Sequence, residues 1–227
     1  MTPAETPPAH SAEDLQRIYR DRFLEREEYR KAVWRVLIEE CLGRYLDSAT
    51  AVLDLGCGYG EFINQVSAPE RYAMDLNPDL PRRVEPAVKP LLQDCSRPWP
   101  LRGESLDLVF TSNFFEHLPD KAALGRTLDE AHRCLRPGGR LVAHGPNIKY
   151  LPGQYWDFWD HYIPLTELSL SEALTTRGFT LEQCVDRFLP YTMSRGLRYP
   201  LVLLRLYLRL RPFWRFFGRQ FLVVGRK

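Results

Sequence analysis

The sequence predicts an α/β fold built on a mostly parallel sheet, and two observations carry that prediction. Short apolar runs at 51–55, 71–76, 89–94, 105–112 and 140–145 alternate with turn-rich or helical stretches. The first run, AVLDL, leads directly into a loop with glycines at alternate positions, GCGYG, residues 56–60. At 227 residues, 44% of them apolar and 26% charged, the chain can bury one core as a single unit. It contains no internal repeat and no long low-complexity tract.

In chain order, residues 1–12 (MTPAETPPAHSA) have neither a basic start nor an apolar stretch and read as a disordered leader, not a secretory signal. Residues 13–47 form a helical addition. Leu15, Ile18, Tyr19 and Phe23, then Val33, Val36, Leu37 and Cys41, recur at helical spacing and predict two helices, with a weak break at Gly43. After the first two strands, NPDLPRRVEPAVK holds three prolines and leaves room for one helical turn at most. AALGRTLDEAHRCL predicts a helix stopped by Pro137, Gly138 and Gly139. Residues 48–145 thus form one half of the single domain. The other half, 146–227, starts with an aromatic loop over 146–163. A helix over about 165–176, a strand FTLEQCVDRF, a basic apolar helix over about 197–211 and a closing strand QFLVVGRK follow.

Composition narrows the function. With 31 Lys and Arg against 29 Asp and Glu, the net charge of +2 does not mark a nucleic-acid binder. The five cysteines show no CxxC spacing, which argues against a zinc site or a disulfide framework, and no metal is expected. No uncharged apolar stretch reaches 18 residues, because Arg205, Arg209 and Arg211 interrupt the greasiest segment. A cytoplasmic protein is expected.

In an open α/β sheet, ligands sit beyond the carboxyl ends of the strands, and glycine lets the backbone approach them closely. Asp75 ends the second apolar run about twenty residues on, where a carboxylate can accept both hydroxyls of a ribose. A nucleoside-containing cofactor follows. Glu61 occupies the place of the third glycine of a dinucleotide fingerprint, which disfavours NAD.

Five segments in this order, VLDLGCGYG, YAMDLNP, LLQDCS, SLDLVFTSNFFEHL and LRPGGRLV, resemble the motifs of class I S-adenosylmethionine-dependent methyltransferases from Val52 to Leu141. The resemblance implies a Rossmann-like three-layer sandwich whose seven-stranded, mostly parallel sheet has its last strand antiparallel. It implies S-adenosylmethionine as cofactor, with Gly56, Cys57, Gly58 and Gly60 against its methionine part and Asp54 near its amino group. Asp75 would take the ribose and Leu76 would pack near the adenine. Asp94 and the Cys95 backbone would meet the adenine edge, and Asn113 would line the methionine end. Tyr29 or Arg30 could cap the site.

The acceptor is expected beyond the fourth and fifth strands. There the sequence offers His117 in FEHL and, in the aromatic loop, Tyr155, Asp157, Asp160 and His161. Aromatic walls with a few acids suit a sugar or an aromatic acceptor. His161 is the candidate general base, its ordinary pKa lying near neutral. His144 reads as structural and Glu116 as a partner for loop amides. The loop also resembles those of bacterial methyltransferases of envelope polysaccharide pathways. O-methylation of a sugar or glycan precursor is therefore the leading expectation. Alternatives are a quinone or lipid-like acceptor, or a non-catalytic partner-binding protein of the same fold.

Residues 195–219 could touch a membrane surface or a protein partner. Arg198, Arg205 and Arg209 share one side of the expected helix, and Leu203, Leu206, Tyr207 and Leu210 supply apolar surface. The competing reading makes the leucines core and the arginines a solvated rim.

Overall fold

The computed structural model describes residues 17, 27–191 and 198–227. The expected leader, and nearly all of the first expected N-terminal helix, lie outside the described residues. The strands are β1 (Ala51–Leu55), β2 (Glu70–Asp75), β3 (Val88–Leu92), β4 (Leu106–Ser112), β5 (Leu135–Pro146), β6 (Thr180–Val185) and β7 (Gln220–Arg226). They form one sheet in the order β3-β2-β1-β4-β5-β7-β6. The first five pair in parallel, and β7 runs antiparallel to both β5 and β6. This is the expected seven-stranded sheet with its last strand reversed.

The described helices are α1 (Glu27–Leu37), α2 (Gly43–Leu46), α3 (Leu80–Arg83), α4 (Lys121–Cys134), α5 (Glu167–Thr175), α6 (Leu201–Arg209) and α7 (Trp214–Phe217). Gly43 does not break the N-terminal helical run. It keeps helical angles and donates its N–H to the Ile38 carbonyl, closing a π-helical turn over Ile38–Leu42. The strict strand–helix alternation is also relaxed. The β1–β2 connection holds only a three-residue 3-10 turn (Ile63–Gln65), and β2–β3 only the single turn α3. α4 starts where the Asp120 side chain accepts the Ala123 N–H. It ends at Cys134, since Leu135 is already extended two residues before Pro137. An irregular register between Leu106 and Leu108 then accommodates the proline and both glycines at the start of β5.

Side chains alternate across the pleat, so each strand feeds two cores. On one face, Leu53, Leu55, Leu141 and Val223 meet Leu124 and Leu128 of α4 and Leu170 and Leu174 of α5. On the other, Val52, Phe110, Val142 and Val224 meet Trp34 and Leu37 of α1, Leu208 of α6 and Trp214 of α7. With only a short turn between β1 and β2, α1 covers this face. Trp34 packs edge-on against Phe62 and Phe110 with ring centroids 5.7 Å apart in both pairs. The N-terminal helix is therefore part of the core and not a detachable cap.

Candidate active site

The strand order reverses between β1 and β4, and the glycine loop sits at that switch point. Gly56, Gly58 and Gly60 take φ values of 68°, 56° and 74°, the left-handed region where residues with a Cβ are strained. The N–H groups of Gly56 and Cys57 both donate to the Met74 carbonyl, at 2.9 and 3.2 Å, fastening the loop to β2. Asp75 holds it from the end of that strand, one carboxylate oxygen accepting from Gly58 N at 2.8 Å and the other from Asn77 N at 2.9 Å. Sequence reasoning missed Phe114, whose ring lies so close over Gly56 that a Cβ there would stand 2.1 Å from it.

Two acids are buried here together, Asp54 and Asp75. Burial pushes the Asp54 carboxyl well above the usual carboxylate range. The negative charges of Asp75 and Glu61 push it the same way, against one hydrogen bond from the Ile63 amide. Nearby, Thr111 Oγ1, Asn113 Oδ1 and Asn77 Nδ2 are buried without a hydrogen-bond partner among the described residues. Asn113 also holds a left-handed backbone, φ 48°, anchored by its N–H to the His144 carbonyl at 2.8 Å. Crowded carboxylates and unmet polar atoms fit a ligand carrying positive charge, amino protons and hydroxyls. S-adenosylmethionine is such a ligand.

At the neighbouring strand ends, Leu76 and Leu92 are exposed apolar side chains. Asp94 is half-buried, one carboxylate oxygen accepting the Ser96 N–H at 2.8 Å in a local turn. The Cys95 carbonyl accepts Trp99 Nε1 at 2.8 Å, and its thiol contacts Thr127. Arg30 reaches Glu61, next to the glycine loop, in a buried ion pair. Tyr29 does not: its hydroxyl donates to the Tyr199 carbonyl at 3.0 Å, tying α1 to the segment before α6.

On the acceptor side the expected residues separate. Tyr155 lines no acceptor surface; it is fully buried and its hydroxyl donates to the Ile163 carbonyl. Asp157 is exposed, at the end of the 3-10 turn Gln154–Asp157. His117, Asp160 and His161 do converge. His117 Nδ1 lies 2.8 Å from the Asp160 carbonyl and 3.3 Å from its carboxylate. Burial acts to lower the His117 pKa, but its bond to Asp160 and the Glu116 and Asp160 charges outweigh this and raise it. His161 stacks on Phe158 and meets the rings of His117 and Tyr155 edge-on. Glu116, buried, has its carboxyl pushed up to about 7 by desolvation, partly offset by His117. His144, read above as structural, is buried, which pushes its pKa down to about 3, and its Nδ1 bonds Ser112 Oγ at 2.8 Å.

Residues 26–184 match the family model described as a methyltransferase domain. The chain belongs to this family: it carries a methyltransferase domain with the Rossmann-like fold of the S-adenosylmethionine-dependent enzymes. It is 37% identical over 103 residues to a malonyl-[acyl-carrier protein] O-methyltransferase of Dechloromonas aromatica, covering 43% of this chain and 37% of that protein. It is 29% identical over 80 residues to a demethylmenaquinone methyltransferase of Symbiobacterium thermophilum, covering 31% and 32%. The matches therefore span about a third of these curated relatives. In fold it is similar to the N-methyltransferase NodS of Bradyrhizobium japonicum, solved with S-adenosyl-L-homocysteine. The TM-score is 0.66 at 14% identity, over 95% of this chain and 97% of that one.

Proposed function

We propose that this methyltransferase moves a methyl group from S-adenosylmethionine to an oxygen of a small hydroxylated molecule, a sugar or glycan precursor. When bound, the cofactor supplies an electrophilic methyl on a sulfonium. In this reading Asp54 and Asp75 receive its amino and ribose groups, and Gly56, Cys57, Gly58 and Gly60 give its methionine part room. Asn113 Oδ1 accepts from the same end, Leu76 flanks the adenine, and Asp94 and Cys95 meet its edge. The observation that carries the acceptor assignment is the convergence of Glu116, His117, Asp160 and His161 just after β4, in the turn that also places Phe114 over Gly56. Such a group can assist loss of the hydroxyl proton, with His161 assigned beside the acceptor oxygen. Trp156 and Trp159 stand exposed in the adjoining loop, Trp159 to 87%, and offer faces on which a sugar ring can stack.

The test measures S-adenosylhomocysteine release against panels of free and nucleotide-linked sugars and of quinones, with Asp75→Ala as control. Turnover on sugars that is lost in the control is the expected result. Turnover on quinones alone would overturn the sugar reading. Cofactor binding with no turnover on any panel would favour the non-catalytic, partner-binding reading.

A second reading, a lipid-like acceptor, is favoured by the C-terminal surface. Downstream of Asp186 the sequence carries ten Lys and Arg and no acid. Val202, Leu203, Leu206, Phe213, Phe216 and Phe217 lie exposed on and around α6 and α7. Arg205 and Arg209 do not contribute free charge to this surface: they pair with Glu39 and Glu40 beside α1, at 2.5 to 3.0 Å. Arg211 and Arg215 are exposed among the aromatics and suit anionic headgroups. No helix among the described residues is long and apolar enough to cross a membrane. Co-sedimentation with phosphatidylglycerol vesicles but not phosphatidylcholine vesicles, lost in Phe216→Ser/Phe217→Ser, is expected. Equal recovery with both vesicle types would remove the support for this reading.

A further inference from the structure

Glu116 and His117 belong to the short turn Phe115–His117 that follows β4, whereas His161 arrives from the loop between β5 and α5. Two hydrogen bonds bring the segments together: the N–H groups of Tyr162 and Ile163 both donate to the Glu116 carbonyl, at 2.8 and 3.2 Å. A Glu116 carboxylate oxygen and one ring nitrogen each from His117 and His161 then lie within 4.8 Å of one another. We propose that these three side chains bind a divalent transition-metal ion at the acceptor end of the site. The proposal rests on the reading that the acceptor hydroxyl enters here, and it names the means by which that hydroxyl is activated.

Three arguments support it. First, two imidazoles and one carboxylate form the mixed donor set of open metal sites, with three protein ligands leaving a position for a substrate oxygen. Second, His117 Nδ1 faces both the backbone carbonyl and the carboxylate of Asp160, which calls for a proton on Nδ1 and leaves Nε2 for an ion. Third, two of the donors are buried, Glu116 at 2% and His161 at 6% exposed, and His117 is half-buried. A carboxylate withdrawn from water this far is stabilised by a neighbouring cation. Ligand atoms of a tetrahedral site with bonds of about 2.1 Å lie about 3.4 Å apart, so modest side-chain rotation closes the set around an ion.

The chemical consequence is a lowered pKa for the bound acceptor hydroxyl. Its O–H bond breaks, the electron pair stays on oxygen beside the ion, and the proton leaves to solvent. His161 then acts as a ligand and does not itself take the proton.

The test uses the full chain after treatment with a chelator. Zn²⁺ is titrated by calorimetry and Co²⁺ by visible absorption, on wild type and on His117→Gln/His161→Gln. Binding of S-adenosylhomocysteine and thermal melts on the same samples establish that the variant is folded. One equivalent bound by wild type, with Co²⁺ bands of four- or five-coordination and at least about 100-fold weaker binding in the variant, is the expected result. Equal binding by the two proteins, or a near-ultraviolet thiolate band from the exposed Cys184 unaffected by the variant, would overturn the site. Full turnover by metal-free enzyme would also overturn it while leaving methyl transfer to oxygen intact. Specific Co²⁺ binding with no turnover on any hydroxylated acceptor would sink the functional reading but not the metal site.

Discussion

The ring of Phe114 closes over Gly56, leaving no room for a side chain: a Cβ on Gly56 would stand 2.1 Å from Phe114 Cγ. Gly56 also holds φ at 68°. Gly56→Ala should therefore destabilise the fold by roughly 2–5 kcal/mol, the sum of left-handed strain and overpacking. Urea midpoints check this. Adding Phe114→Ala should recover the packing part only, and full recovery would show that the backbone strain counts for little.

Cofactor binding should depend on Asp75 more than on any other single acid. Asp75→Asn is expected to weaken S-adenosylhomocysteine binding by about 100-fold, since each hydrogen bond to a charged acceptor is worth roughly 1.5–3 kcal/mol. An affinity within threefold of wild type would exclude the ribose assignment.

Burial, then the charges of two neighbouring acids, push the Asp54 carboxyl well above the usual carboxylate range. A cationic cofactor should oppose that shift and favour loss of a proton. Calorimetry of S-adenosylmethionine binding in buffers of different ionisation enthalpy should show proton release, absent in Asp54→Asn. The same enthalpy in every buffer would contradict the prediction.

His144 has a folded pKa depressed to about 3 by burial, so the unfolded chain takes up its proton first as pH falls. Its contribution is complete above pH 6.5 and declines below it, by about 2 kcal/mol at pH 5. The decline continues until the pH nears the folded pKa. His144→Gln should flatten the stability profile between pH 6.5 and 4. An unchanged slope would mean that His144 is not the group responsible.

Tyr155→Phe removes a buried hydroxyl bonded to the Ile163 carbonyl. A loss of about 1–2 kcal/mol in stability is expected, from the orphaned carbonyl. Turnover should be unchanged. A selective rise in KM for the acceptor would return Tyr155 to the substrate site.

The fold, and the elements that carry the expected cofactor residues, were legible in the sequence because both are local. Apolar runs, turn residues and the GCGYG loop specify short elements, and Asp54, Asp75 and Asp94 are each tied to a strand or its end. The acceptor end was only partly legible. Alternation of aromatics and acids in 155–161 does not tell which side chains turn inward. Tyr155 is core, Asp157 faces solvent, and Glu116 joins His161 across 45 positions of chain.

By itself, then, the sequence determined the order of features along the chain: a glycine loop after β1, an acid at the end of β2, and a histidine-bearing turn after β4. Only the tertiary structure decided that Arg205 and Arg209 spend their charge on Glu39 and Glu40. It likewise decided that Phe114 seals Gly56, and that two histidines and a glutamate meet in one place. The reason is physical. Periodicity and turn chemistry act over a few residues, whereas pairing between distant side chains depends on how packed layers bring separate loops to one edge of the sheet.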